Sequence, residues 1–199
     1  MDEAMRCTAF QGARCIASGA VVDVAAKVKA MIDADAGGTA PVLIFDDATS
    51  EPVEIDFRGS RRDVLKRLAA RSEKSGMPSP EARPARGPGR PRLGVVSREV
   101  TLLPRHWDWL SHQRGGASVA LRKLVEEARR ANAGKDRIRQ AQEAAYRFIS
   151  AIAGDAPGFE EAARSLFAGD AARFGEAIEA WPADIRRHAQ RLAADAFAA

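Results

Sequence analysis

Arg98-Glu99-Val100-Thr101-Leu102-Leu103-Pro104-Arg105-His106-Trp107-Asp108-Trp109-Leu110, followed by Gly115-Gly116-Ala117-Ser118-Val119-Ala120-Leu121, is the stretch on which the reading of this chain turns. Val96, Val100 and Leu102 fall on one alternating face and Ser97, Glu99 and Thr101 on the other, the period of a strand. Pro104 suits the first turn of a helix, where its missing N–H costs nothing. That helix is expected to run to about Gln113, with Trp107 and Leu110 on one face. Gly115-Gly116 breaks it, and Ser118 is placed to N-cap a second helix. The second helix turns Leu121, Leu124, Val125 and Ala128 inward and Arg122, Lys123, Arg129 and Arg130 outward.

A single strand with two short helices buries too little apolar surface to hold itself together, and a lone strand leaves both its edges unpaired. Pairing with the same strand of a second copy solves both problems and makes a two-stranded ribbon that fits the DNA major groove. Residues 95–131 resemble ribbon-helix-helix repressors and antitoxins. The resemblance implies a homodimer whose core takes in Val100, Leu102, Trp107, Leu121, Leu124 and Val125. It maps the outward strand positions that read base edges onto Ser97, Glu99 and Thr101, with Arg98 at the strand start. Arg98 and Thr101 are the expected base-edge contacts. Ser118, Arg122 and Lys123, at the positive end of the second helix, are expected to meet the phosphate backbone. Glu99 departs from the pattern, since a carboxylate repels phosphates. Leu102-Leu103 before Pro104 leaves the strand register open by one residue, and such a slip swaps the two faces.

The formal net charge of +4 is unevenly spread. Residues 83–130 hold eleven Lys and Arg against four Asp and Glu, a net of +7, while residues 1–82 carry −2 and residues 131–199 carry −1. A local cationic block reads as a footprint for a polyanion, nucleic acid first. Within it, Arg86-Gly87-Pro88-Gly89-Arg90-Pro91-Arg92 resembles an AT-hook. The resemblance implies an extended arm in a narrow minor groove, with Arg86, Arg90 and Arg92 in its negative potential. The competing reading is a solubilising, arginine-rich linker.

Outward from this middle, the chain reads as an α+β protein in four parts. Residues 1–72 are expected to form a small ββαββα domain. It starts with a hairpin, Arg6 to Phe10 and Arg14 to Ser18, turning at Gln11-Gly12. A helix over Ala20–Ala34 follows, with Val21, Val24, Ala25, Val28, Met31 and Ile32 at helical spacing. Val42 to Phe45 and the alternating Val53, Ile55 and Phe57 are expected to be two further strands. Gly59-Ser60 then caps a helix carrying Val64, Leu65 and Leu68. Residues 73–94, rich in Pro, Gly and Arg, read as a disordered basic linker. Residues 95–131 are the strand-helix-helix module. Residues 135–199 read as a C-terminal helical bundle with breaks near Gly154, Gly169 and Pro182. Its candidate core includes Phe148, Ile149, Phe159, Leu166, Phe167, Phe174, Ile178, Trp181, Ile185 and Leu192.

Catalytic chemistry is sparse, with three histidines and one tyrosine. His106 and His112 share no helical face, and neighbouring side chains at Ser111-His112 point apart. Asp46, Asp47, Glu51, Glu54 and Asp56 read as turn-formers and a solvated face. No Gly-rich phosphate loop with a Lys-Ser/Thr ending appears. The expectation is no enzyme, no metal and no cofactor. With a turn at Gln11-Gly12, Cys15 falls opposite Thr8, so Cys7 and Cys15 point to opposite faces as two reduced thiols. Met1-Asp2-Glu3 is acidic and leads into no apolar run, so the expected location is cytoplasmic.

Taken whole, the chain resembles a bacterial family, domain of unknown function 2239. The resemblance rests on Phe45-Asp46-Asp47-Ala48-Thr49, Gly89-Arg90-Pro91, Val100 through Trp107, Gly116 through Arg122, and Trp181-Pro182, and it implies no activity. The functional expectation is a dimeric transcriptional regulator that binds DNA, its terminal domains sensing a small ligand or partner protein. The alternative is a protein-interaction or dimerisation module that binds no DNA.

Overall fold

A computed structural model describes residues 5–34, 40–75 and 98–198. The chain divides into two units, one of residues 1–77 with 135–199 and one of residues 78–134.

The first unit is built on a three-stranded antiparallel sheet of order β2-β1-β3, with β1 at Arg6–Gln11, β2 at Arg14–Ala20 and β3 at Val42–Asp46. Gly12-Ala13 make the β1–β2 turn, with Gly12 at φ +53°, the left-handed conformation that hairpin turns give to glycine. The register runs Thr8 to Ser18 and Ala9 to Ala17, then shifts so that Phe10 faces Cys15. Ile16 is the extra residue of this bulge. The turn therefore lies one residue later than expected, and Cys15 stands opposite Phe10 instead of Thr8. The two thiols still point apart: Cys7 packs on one side of the sheet and Cys15 on the other. Both are free.

The central strand is buried on both faces. Cys7 and Ala9, with Ala17 and Ile44, pack against Val24 and Val28 of α1 (Val21–Asp33). Phe10, together with Phe45, packs on the opposite side against Phe148 and Ile149. The expected fourth strand keeps its alternation, since Val53, Ile55 and Phe57 are half-buried and Glu54 and Asp56 exposed. It does not form a ladder. Beyond the bridge between Phe45 and Pro52 and the bond from Val53 N–H to Ile44 C=O (2.7 Å), its carbonyls serve side chains. Arg67 donates to the carbonyls of Asp56 (2.7 Å) and Arg58 (2.5 Å), and Arg71 to that of Glu54 (3.2 Å). Both arginines come from α2 (Arg61–Ser75). The observed order is thus ββαβα. A capping box starts α2: Asp63 N–H donates to Ser60 Oγ, and Ser60 N–H donates to the Asp63 carboxylate.

In the second unit, α3 spans Pro104–Ser111 and α4 begins at Gly116. Residues 98–103 lie in no strand, with Leu103 extended at φ −66° and ψ 151°. A strand needs a ladder partner, and none is present for this segment among the described residues.

Helix α4 runs without a break from Gly116 to Ala153, so the boundary expected between residues 131 and 135 falls inside a helix. Gly134 ends nothing: one interior glycine costs roughly 1 kcal/mol relative to alanine, too little to stop a helix flanked by good helix formers. Ser118 is the third residue of the helix instead of its cap. From residue 135 onward the chain belongs to the first unit, where α5 (Phe159–Ala168), α6 (Ala171–Ala177), α7 (Ala183–Ala193) and a closing 3-10 turn (Ala194–Phe197) follow. The breaks fall as expected around Gly154, Gly169 and Pro182.

The two terminal segments, read from the sequence as separate domains, share one core. Phe10 and Phe45 from the sheet join Phe148, Leu166, Phe174, Ile178, Trp181, Ile185 and Leu192. Phe148 stands in edge or tilted contact with Phe10 and Phe45, both ring centroids at 5.3 Å. Trp181 is buried and its indole N–H donates to Pro157 C=O at 2.8 Å. Phe167 departs from the expected core and is exposed, lying against Tyr146.

Candidate functional site

Leu103 receives the first bonds of α3, from His106 N–H (2.8 Å) and Trp107 N–H (3.2 Å). Gly115 and Gly116, at φ +91° and +76°, reverse the chain between the helices. Among the described residues of this unit, Leu110 and Ala120 are the buried ones, at 2% and 9% exposure. The residues assigned to a dimer core lie outside that small core: Val100 is 56% exposed, Trp107 43%, Leu124 44% and Val125 63%, while Leu102 and Leu121 are half-buried. Trp107 was expected to be buried beside Leu110, and within one chain it is not. The turn that buries Leu110 brings too few neighbours to cover an indole one turn away. Trp109 is exposed as well.

Of the residues expected at DNA, Arg98, Thr101, Ser118, Arg122 and Lys123 are exposed. Arg122 Nε donates to Ser118 C=O at 3.0 Å, which lays its guanidinium back along the first turn of α4. Arg129 and Arg130 both pair with Glu126, at 3.3 and 3.2 Å, so part of the cationic excess is locally neutralised. Arg86, Arg90 and Arg92, and with them the AT-hook-like segment and Ser97, lie outside the described residues.

Of the acidic residues of 46–56, Asp46 and Asp56 hold the local backbone and its arginines, Glu51 and Glu54 are exposed, and Asp47 differs from all four. Asp46 Oδ1 accepts from the N–H groups of Ala48 and Thr49, both at 2.8 Å, as a turn-forming aspartate does. Asp56 takes the Arg58 guanidinium through both oxygens at 2.9 Å, which holds its carboxyl well below the usual range. Ser111 Oγ and His112 Nδ1 both donate to Asp108 C=O at 2.7 Å, so they close the end of α3.

Asp47 is the exception. It sits at the junction of the sheet and α7, in a polar cluster that the sequence reading missed. Asp47 Oδ1 accepts from Thr8 Oγ1 at 2.6 Å and from Arg191 Nη2 at 3.2 Å, while its Oδ2 is buried without a partner. Thr8 Oγ1 also lies 3.1 Å from Ser18 Oγ. One hydroxyl proton cannot serve two acceptors, and the shorter bond takes it. Ser18 therefore donates to Thr8, and Thr8 to Asp47.

Arg191 Nη2 also stands 3.1 Å from His188 Nδ1. It stands 3.5 Å from Nε2 as well, so the guanidinium lies over the face of the imidazole and not on the lone pair of one nitrogen. His188 is only 6% exposed, between the rings of Phe10 and Phe148 at 5.2 and 4.4 Å. Burial first, and the Arg191 charge second, push its pKa down to about 4, against the opposing pull of Asp47. The histidine is neutral at pH 7. Nearby, burial and the Asp47 and Asp46 charges push the Cys7 thiol up to about 11, and burial with Asp184 raises Cys15. Neither thiol is activated as a nucleophile. The signal available in the sequence was the Arg187-His188-Arg191 spacing on one amphipathic helix, but its partners lie some 140 residues and more away in the chain.

Among the described residues, no group of three or more His, Cys, Asp or Glu could hold a metal ion. No described helix is long and apolar enough to cross a membrane.

A family model described as "Uncharacterized protein conserved in bacteria (DUF2239)" matches residues 6–193. This chain belongs to the DUF2239 family. The match covers both units, so the sheet, α7 and residues 95–131 are all inside the family's extent. No curated protein and no solved structure matches the chain.

Proposed function

We propose that this DUF2239 protein is a cytoplasmic DNA-binding transcriptional regulator without catalytic activity, a homodimer joined through residues 95–131. The observation that carries this reading is the coincidence, in one segment, of the +7 charge excess with uncovered apolar side chains. A second copy would cover Val100, Leu102, Trp107, Leu121, Leu124 and Val125 and give residues 98–103 the ladder partner that a strand requires. Arg98 and Thr101 would then approach base edges, and Ser118, Arg122 and Lys123 the phosphates. Arg86, Arg90 and Arg92 would supply the minor-groove arm.

Phosphate neutralisation gives this reading its signature. In fluorescence anisotropy with a mixed-sequence duplex, affinity should fall linearly in log salt, with a slope near −0.9 per phosphate neutralised. Arg90→Ala/Arg92→Ala should bind more weakly, with a slope shallower by roughly 2. No binding even at low salt overturns the proposal. The exposed apolar residues would then favour the second reading, dimerisation through the same segment without DNA.

A further inference from the structure

We propose that the cleft between β3, the C-terminal end of α1 and residues 52–57 binds an extended apolar peptide of a partner protein, which joins the outer edge of β3 as a strand. The cleft has a volume of about 800 Å³, within the range of roughly 300–1,000 Å³ found for formed ligand sites. It opens where a hairpin comes apart. Asp46 N–H donates to Glu51 C=O at 2.9 Å, Phe45 bridges to Pro52, and Val53 N–H donates to Ile44 C=O at 2.7 Å. Carried further, this pairing would set Val42 against Ile55 and Ala40 against Phe57. Neither rung is made among the described residues, and all four residues line the cleft.

The two arms are held apart from behind. Arg67 and Arg71 of α2 hold the carbonyls of Glu54, Asp56 and Arg58. Backbone groups of an extended chain face alternate sides, so with these carbonyls turned to α2 the N–H and C=O of Ile55 face β3. On the other arm, β3 is the edge of its sheet, and Ile44 C=O already points away from β1. The backbone groups of Val42, two residues along, share that direction. Donors and acceptors thus line both walls of one gap, the arrangement that recruits an added strand.

The side chains set what that strand must carry. Val42, Val53, Ile55 and Phe57 are half-buried against the α1 side of the sheet, and Ile32 near the end of α1 is 42% exposed at the cleft. An inserted strand turns every second side chain onto this apolar floor. Glu54, exposed, is the ionisable residue among those lining the cleft. A basic residue on the strand's outer face complements it, and an acidic one is repelled.

The cleft lies in the first unit and does not depend on the DNA reading. Its test uses the full ¹⁵N-labelled chain and the peptide acetyl-Val-Thr-Val-Lys-Val-amide. Titration should shift the Val42 and Ile55 amide signals saturably. The same peptide N-methylated at its central valine keeps every side chain but loses a backbone donor, and should bind at least tenfold more weakly. Glu54→Lys, at an exposed position, should weaken binding of the lysine-bearing peptide several-fold with the fold intact. The proposal is overturned by unmoved Val42 and Ile55 signals at millimolar peptide, by equal binding of the N-methylated peptide, or by unchanged affinity in Glu54→Lys. Tighter binding of N-phenyl-1-naphthylamine at the same amides would also overturn it, since that molecule has apolar surface and no peptide backbone.

Discussion

Helix α4 passes through two environments, and its apolar residues meet opposite fates. Between Gly116 and Ala133 it exposes Leu124 and Val125, and between Ala144 and Ala153 it buries Ala145, Phe148 and Ile149 completely. The local pattern is similar in both stretches: apolar residues at helical spacing, with Arg122, Lys123, Arg129 and Arg130 exposed in the first and Arg147 half-buried in the second. What differs is the supply of neighbours. The first unit brings a sheet and three further helices to the core around Phe148, whereas the described residues of the second offer one helix of eight residues and a segment without a ladder. Amphipathic periodicity therefore says that a face wants covering. It does not say whether the same chain covers it.

The sharpest test of that contrast is a truncation on each side. Phe148→Ala should destabilise the first unit by about 3–5 kcal/mol, read by chemical denaturation, because it opens a cavity among Phe10, Phe45 and His188. A loss under 1 kcal/mol would mean that the aromatic cluster is not the core it resembles.

Acid should reach the same cluster through His188. The imidazole titrates near 6.5 when unfolded and at about 4 when folded. Between those values the unfolded chain holds a proton that the folded chain refuses. Stability is therefore present above pH 6.5 and lost as pH falls toward 4, by about 3 kcal/mol in all. His188→Phe should flatten the stability profile over that window, which urea denaturation at a series of pH values would reveal.

On the exposed side, Leu124→Asp should leave the first unit's stability within about 0.5 kcal/mol while converting dimer to monomer in sedimentation or light scattering. A large stability loss would show that Leu124 packs within one chain after all. The smallest effect is expected where the two environments join. Gly134→Ala should stabilise the protein by about 0.5–1 kcal/mol, since an added Cβ meets nothing within 4 Å and the helix loses a flexible residue. A drop in thermal midpoint would contradict a continuous α4.

Much of the fold was legible from local signals. The hairpin, α1, β3, the Ser60 capping box and the helix breaks at Gly154, Gly169 and Pro182 each depend on residues close together in sequence. The misses share a physical cause. The fourth strand failed because Arg67 and Arg71, from the next helix, took carbonyls that a ladder would have used. The hairpin register slipped at a bulge that no pattern of apolar residues announces. The boundary expected between residues 131 and 135 fell inside α4, because glycine's cost at Gly134 is visible in sequence while the favourable terms that outweigh it are spread along the helix. The polar cluster of Thr8, Asp47, His188 and Arg191 was invisible for the plainest reason, since its members come from opposite ends of the chain.

The sequence by itself determined the α+β class, most element positions, the family resemblance and the concentration of positive charge between residues 83 and 130, because these follow from composition, period and local capping. Only the tertiary structure decided that the N- and C-terminal segments share one core and that a neutral, buried His188 lies beside Arg191 and Asp47. Burial and long-range hydrogen bonds depend on which faces meet in space, and two-fold or 3.6-fold periodicity carries no information about that.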